Sequence, residues 1–129
     1  MTIEGALLSR LKSQVALVSN RVYAVQLPQN VTLPAVTFQR ISAIREHAMG
    51  GDAEPTHARF QVSSWAKTYD EVRDVADQVK AGLDRFSGTL DTTVIQQIFR
   101  VTDQDLFEPD DLGVGVFHVP VDFMVHFEE

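Results

Sequence analysis

Cysteine is absent from this chain of 129 residues. Without thiols the protein has no disulfide framework, no thiolate metal site, no cysteine nucleophile and no iron–sulfur cluster. Long apolar runs are absent too, because no stretch approaches the ~18 residues of a membrane span and Glu4, Arg10 and Lys12 interrupt the beginning, where a signal peptide would be apolar. We therefore expect a protein that stays in the cytoplasm in which it is made.

Basic residues are scarce relative to acidic ones, with 11 Lys and Arg against 18 Asp and Glu and a formal net charge of −7. This charge repels phosphates at long range, which argues against a protein whose main task is to grip DNA or anionic lipid. The apolar fraction of 44% and the charged fraction of 22% are ordinary for globular proteins. The length suits one domain, and we expect residues 1–129 to form it.

Two segments have the apolar spacing of helices. The first runs from about Glu4 to Leu17. In the second, Thr68 and Glu71 have the spacing of a capping box, and Gly88 follows the end of the segment. The apolar stripe of this second helix consists of Val72, Val75, Ala76, Val79, Leu83 and Phe86.

Alternating apolar and polar residues predict four strands, over Ala35–Ile44, Ala58–Ser63, Thr92–Val101 and Phe117–Phe127. The first two are expected to pair. The last has the clearest alternation, but Pro120 cannot donate to a ladder, so this strand should lie at a sheet edge or contain a bulge. The element order predicts an α+β fold, with an about four-stranded, mostly antiparallel sheet and two helices packed on one face.

Two segments between these elements lack periodicity. Glu46–Thr56 contains Gly50, Gly51 and Pro55 and is predicted to be a long flexible loop. The other segment is acidic, and its carboxylates are Asp103, Asp105, Glu108, Asp110 and Asp111. It does not match a calcium loop of the EF-hand type, so a solvated loop is favoured, with a subunit contact or a weak cation site as alternatives.

His118, Asp122 and His126 share one face of the last predicted strand. Strand residues four apart are separated by roughly 13 Å, which is too far for one metal ion or one proton relay. A solvated sheet face is the favoured interpretation, and an oligomer contact is the alternative. No nucleotide loop or nucleophile elbow is present, so we predict no catalytic, cofactor-binding or metal-binding residues and a function in assembly or binding.

Six short segments, taken together, span nearly the full chain in a fixed order. They are Arg21-Val22-Tyr23, Leu27-Pro28-Gln29, Leu33-Pro34-Ala35-Val36, Arg59-Phe60-Gln61-Val62, Thr68-Tyr69-Asp70-Glu71-Val72 and Val121-Asp122-Phe123. In this order and spacing they resemble the tail-completion, or tail-terminator, proteins of long-tailed bacteriophages. Most of the segments are turn prolines and strand alternation, so their order carries the resemblance.

The resemblance implies a small subunit without catalytic residues or cofactors that is monomeric when free and forms a hexameric ring on the finished tail tube. Such a ring would stop tube growth, contact the tail tube protein and the head connector protein, and let DNA pass without binding it specifically. The protein would be made in the host cytoplasm, from a phage or prophage gene, and would act at the head-proximal end of the virion tail, with no membrane involved. The predicted subunit-contact residues are Arg45, His47, Met49, Asp103, Asp105, Asp110 and Asp111.

A second hypothesis comes from the residues alone. A small α+β enzyme or ligand-binding protein could act as a dimer through a pocket between helices and sheet. It would use histidine or carboxylate side chains that are otherwise assigned to the surface. A ring of copies supports the first hypothesis, and a dimer with a ligand-filled cavity supports the second.

Overall fold

The computed structural model describes residues 3–19, 21–27, 31–45, 55–90, 93–109 and 115–128. Within these ranges the chain forms two α-helices, one 3-10 turn and seven strands. In chain order they are α1 (Ile3–Gln14), the 3-10 turn (Ala16–Val18), β1 (Val22–Ala24), β2 (Ala35–Arg45), β3 (Pro55–Ala66), α2 (Tyr69–Leu83), β4 (Gly88–Leu90), β5 (Thr93–Asp103), β6 (Leu106–Pro109) and β7 (Gly115–Glu128).

One mixed sheet contains all seven described strands, in the order β1-β2-β3-β7-β5-β4, with β6 also paired to β7. β1 pairs with β2 in parallel, and the other pairings are antiparallel. The α+β prediction and the pairing of β2 with β3 are confirmed. The prediction of about four strands is wrong because β1, β4 and β6 have only three or four residues each, too few to show a period.

Both helices contribute to one core on the same face of the sheet. Thr68 caps α2, since its side-chain oxygen accepts a hydrogen bond from the Glu71 N–H at 3.3 Å, as the capping-box spacing predicted. The alternation in β3 and β7 turns Phe60 and its cross-strand partner Phe123 inward, where both are fully buried. One cluster of buried side chains joins these strands to α1 and α2.

The first helix ends earlier than the sequence predicted. α1 stops at Gln14, and a 3-10 turn follows that buries Val18 but leaves Leu17 44% exposed. Ser19 ends this turn in the left-handed region at φ 48°, and its N–H donates to the Ala16 carbonyl. The sequence predicted too long an α-helix because the 3-10 turn also places Val18 in the core, so the apolar spacing extends beyond the end of α1.

Of the two alternatives predicted for the last strand, a sheet edge or a bulge, the edge position is wrong. β7 is internal, with β3 on one side and β5 and β6 on the other. Asp103 pairs with Val121 and Leu106 with His118, so the unbroken register places Gln104 opposite Pro120. The Gln104 N–H donates to the Pro120 carbonyl at 3.3 Å, but proline has no N–H to donate in return. The irregularity that proline requires therefore lies in the neighbouring strand, as the break between β5 and β6.

Two sequence predictions need smaller corrections. Strict alternation separates Ile95 and Ile98, yet both are buried, because a bulge between Ile95 and Gln97 adds one residue to β5. The predicted loop Glu46–Thr56 is too long at its end, since Pro55 and Thr56 belong to β3. The rest of that loop, residues 46–54, lies outside the described residues.

Candidate assembly surfaces

The sheet face opposite the helices is polar and half-buried. Along β7, His118 stacks on Trp65 with 4.0 Å between ring centroids, and the His126 ring centroid lies 5.2 Å from that of His57. Between them, Asp122 accepts hydrogen bonds from Arg59 at 2.5 and 3.0 Å.

These side chains do not form a single centre. Each of the three β7 residues contacts its own neighbours on β3, which follows from the ladder register. Among the residues with described positions, no group of histidine and carboxylate side chains could hold a metal ion. The prediction that His118, Asp122 and His126 share a face is therefore confirmed, but the face is half-buried rather than fully solvated.

The acidic segment begins at the end of β5 and is held against α2. Asp103 forms an ion pair with Lys80 at 2.6 Å, and this hydrogen bond lowers the pKa of Asp103. Asp105 accepts hydrogen bonds from the Tyr69 hydroxyl at 2.9 Å and from Arg73 at 3.0 Å, and the first of these raises the pKa of Tyr69. These two carboxylates are occupied by protein cations, so they connect the strand to the helix layer.

Of the other predicted subunit-contact residues, the structure describes only Arg45. Arg45 is the last residue of β2, where it pairs with Thr56 of β3. His47, Met49, Asp110 and Asp111 lie outside the described residues. Arg45 at the end of β2 thus lies near one side of the sheet, whereas Asp103 at the end of β5 and Asp105 between β5 and β6 lie near the other.

Two apolar features lie at opposite sides of the sheet. At the β5–β6 side, Leu106 and Phe107 are exposed on a strand that pairs with β7, and no other described strand pairs with it. At the β1–β2 side, a cavity of about 410 Å³ opens beside the start of α1. Its lining consists of Glu4, Ala24, Val25, Phe38, Gln39 and Arg40.

Sequence reasoning missed this cavity because its lining comes from three separate elements, of which β1 was not predicted. The exposed pair on β6 was also missed, since the segment was read as an acidic loop. A signal was nevertheless present, because Leu106 and Phe107 are adjacent large apolar residues inside a run of carboxylates. Such residues are unusual in a solvated loop.

The family described as "Tail completion protein gp17" matches residues 5–128 of this chain. The chain belongs to this family. Tail completion proteins are structural proteins of the phage tail, so this protein is a structural component of the virion tail. The sequence-based resemblance to this family is confirmed.

The fold of this tail completion protein is shared with a chain in a solved structure described as "Virion of native gene transfer agent (GTA) particle". The two chains superpose with a TM-score of 0.71 at 14% sequence identity, over 98% of this chain and 95% of the other. At this identity the likeness concerns the fold. No curated protein matches the chain.

The helices of this family member are short. Neither of the helices in the described residues has the length and apolar character needed to cross a membrane.

Proposed function

We propose that this tail completion protein closes the head-proximal end of the phage tail tube as a ring and joins the tail to the head connector. The free chain is a monomer, and six copies form the ring. The match of residues 5–128 to the tail completion family carries the proposal, since it covers nearly the whole chain. The shared fold with a chain of a virion particle supports it.

The two sides of the sheet support self-association. β1 is a short outer strand, and the β5–β6 side exposes residues 101–107 without interruption. Exposed strand edges can pair with another chain, and contacts between two different surfaces of a subunit generate rings when the rotation closes. Arg45 at the end of β2, with His47 and Met49 that follow it in the sequence, remains a contact candidate.

The negative charge suits a ring through which DNA passes. A lumen lined with carboxylates does not hold phosphates, and the acidic segment contributes five of the 18 carboxylates. Replacing Asp103, Asp105, Asp110 and Asp111 with asparagine should slow DNA ejection from assembled particles, measured as the time course of DNA release. Unchanged assembly and ejection would contradict a role for this charge.

The proposed role includes no catalytic step, because the family is a structural one. An enzyme or a ligand-binding dimer would instead remain a dimer in the presence of tail tubes. The oligomeric state of the chain in the presence of tail tubes therefore distinguishes a ring-forming structural protein from a dimeric enzyme or ligand-binding protein.

The test uses tubes assembled from the tail tube protein of the same phage. We expect the purified chain to bind one end of each tube as a six-fold ring in electron micrographs and to stop further tube growth. The same amount of a protein without affinity for tubes serves as the control for growth. Binding along the tube wall, or continued growth with the chain in excess, would refute the proposal.

A further inference from the structure

The apolar cavity lies on the helix-bearing face of the sheet, at its β1–β2 side. Phe38 and Arg40 belong to this face, because they pair across β2 and β3 with the buried Val62 and Phe60. Two of the lining residues, Arg40 and Glu4 of α1, form an ion pair. A cavity of about 150 Å³ can hold a benzene ring, so this cavity, at about 410 Å³, has room for an aromatic side chain.

Val25 makes this corner unusual. It has φ 70° in a tight turn in which the Gln26 N–H donates to the Ala24 carbonyl at 2.8 Å. β-Branched residues rarely adopt this conformation, and the turn is of the strained γ type. Val25 is nevertheless 65% exposed, so the strained backbone presents an apolar side chain to the outside at the cavity. Strain of this kind is concentrated at functional surfaces.

At the opposite side of the sheet, Phe107 projects from the same face. It pairs with Phe117, whose ring packs against the core, and the two ring centroids are 4.8 Å apart. Tyr69 at the start of α2 also contacts the Phe117 ring, edge to face, with 5.9 Å between the ring centroids. Phe107 therefore packs against an aromatic ring that is itself held in place by the core and by Tyr69, and 47% of Phe107 is exposed.

The charges of the two sides are opposite. Residues 4–45, which form most of α1 with β1 and β2, contain five basic side chains and one acidic side chain, that of Glu4, which is paired with Arg40. Residues 103–109, from the end of β5 through β6, contain three acidic and no basic side chains, and two of the three, Asp103 and Asp105, pair with Lys80 and Arg73 of α2. Contact between unlike sides of two copies brings opposite charges together, whereas a two-fold contact of either side with itself would oppose like charges.

We propose that Phe107 of one copy enters the cavity between α1, β1 and β2 of the next copy. This inference rests on the proposed ring, and it specifies the surface by which the ring closes. The occupant is a second copy of the chain, because the aromatic side chain, the apolar cavity and the two charged segments lie at opposite sides of one sheet. Each subunit therefore carries Phe107 at one side and the cavity at the other, so it can bind one neighbouring copy at each side.

The absence of native cysteine permits a direct test. Ala24→Cys, in the cavity lining, and Phe107→Cys are prepared as two separate full-length chains. They are mixed under mild oxidation at a concentration more than about tenfold above that at which the native chain self-associates, which offsets the loss of the Phe107 side chain. A disulfide requires the two Cβ atoms to come within about 4.5 Å, so we expect disulfide-linked pairs in the mixture. Leu17→Cys, at a position with similar exposure to Phe107, replaces Phe107→Cys in the control mixture and should give few such pairs.

A second pair of variants measures the contribution of the aromatic side chain. Phe107→Ser should weaken self-association, measured by sedimentation, about tenfold or more, as expected for an aromatic residue at the centre of a contact. Phe99→Ser, which removes a side chain of similar exposure on the other sheet face, should change it less than about twofold. Circular dichroism verifies that both variants retain the fold.

The outcomes separate this inference from the proposed function. Rings or larger oligomers without disulfide pairs above the control, or an equal effect of the two serine variants, would overturn the Phe107 contact and leave the ring intact. A native chain that remains monomeric both alone and on tail tubes would overturn the contact and the ring together.

Discussion

Gly82 lies in α2 where this helix crosses α1. A Cβ atom at residue 82 would lie 2.7 Å from the Gln14 Cβ and 3.3 Å from the Gln14 Cγ. The Arg10 side chain crosses the same contact, since its Nε donates to the Gly82 carbonyl at 2.9 Å. Gly82→Ala should therefore push the helices apart, because the atom it would meet first is close to the backbone of α1 and cannot swing away.

Two effects of opposite sign decide the outcome of this substitution. Alanine is favoured over glycine in a helix interior by about 1 kcal/mol. Adding a methyl group to a filled contact costs about 1–3 kcal/mol. We expect overpacking to win, so that Gly82→Ala lowers the free energy of unfolding by about 1 kcal/mol and the Tm by about 3–5 °C.

Urea unfolding of a double-mutant cycle checks the reasoning. Gln14→Gly removes the atom that would clash, so the combined variant should be more stable than the sum of the single effects by about 1–2 kcal/mol. Ala81→Gly, at the exposed neighbouring position, gives the helix-propensity term alone. If Gly82→Ala raised stability by the propensity difference and showed no coupling to Gln14, the close helix crossing would be refuted.

Three further substitutions test contacts of the cap, the open sheet face and the acidic segment. Thr68→Ala should lower the free energy of unfolding by about 1 kcal/mol, because α2 loses its N-cap oxygen, whereas Thr68→Ser should be nearly neutral in urea unfolding. Asp122→Ala should lower it by about 1–3 kcal/mol, since Arg59 loses a charged acceptor, and unchanged urea unfolding would show that water replaces the carboxylate. Lys80 lowers the pKa of Asp103 from its ordinary 3.8, so this ion pair stabilises the fold above about pH 4 and loses its effect as the pH falls through the lowered pKa. The difference in Tm between the native chain and Asp103→Asn should therefore be small, because Asp103 is 37% exposed, and should shrink at acid pH; a difference independent of pH would contradict the pair.

The sequence was informative where a local pattern and the tertiary environment agree. In α2, the Thr68 cap and the apolar stripe from Val72 to Leu83 indicate the same start and the same buried face, and both are observed. The predicted end is wrong, since α2 stops at Leu83 and the stripe residue Phe86 lies beyond it. In β7, alternation over many residues places Phe123 and its neighbours on the core side without reference to any partner strand. Family membership was also predictable, because the order of short segments along the chain is itself part of the sequence.

Features that depend on contacts between distant segments were not predictable. β1 consists of Val22–Ala24 and exists as a strand through parallel pairing with β2, which no local pattern encodes. Strict alternation predicts that Ile98 lies on the face opposite to Ile95, but the bulge in β5 places both residues on the same, buried face. The cavity requires α1, β1 and β2 to meet, so its residues could not be selected from their spacing.

Pro120 links the core of the sheet to the surface by which copies are proposed to meet. Because Pro120 has no N–H, it cannot return a hydrogen bond to Gln104, and the neighbouring strand is interrupted there. The Asp105 side chain, at this interruption, accepts hydrogen bonds from Tyr69 and Arg73 of α2. The register is kept across the interruption, so β6 resumes with Phe107 beside Phe117. The sequence predicted this proline at a sheet edge or a bulge; it lies instead in an internal strand, and the neighbouring strand is interrupted beside it. A residue in an internal strand can in this way determine how the outer aromatic side chain is presented.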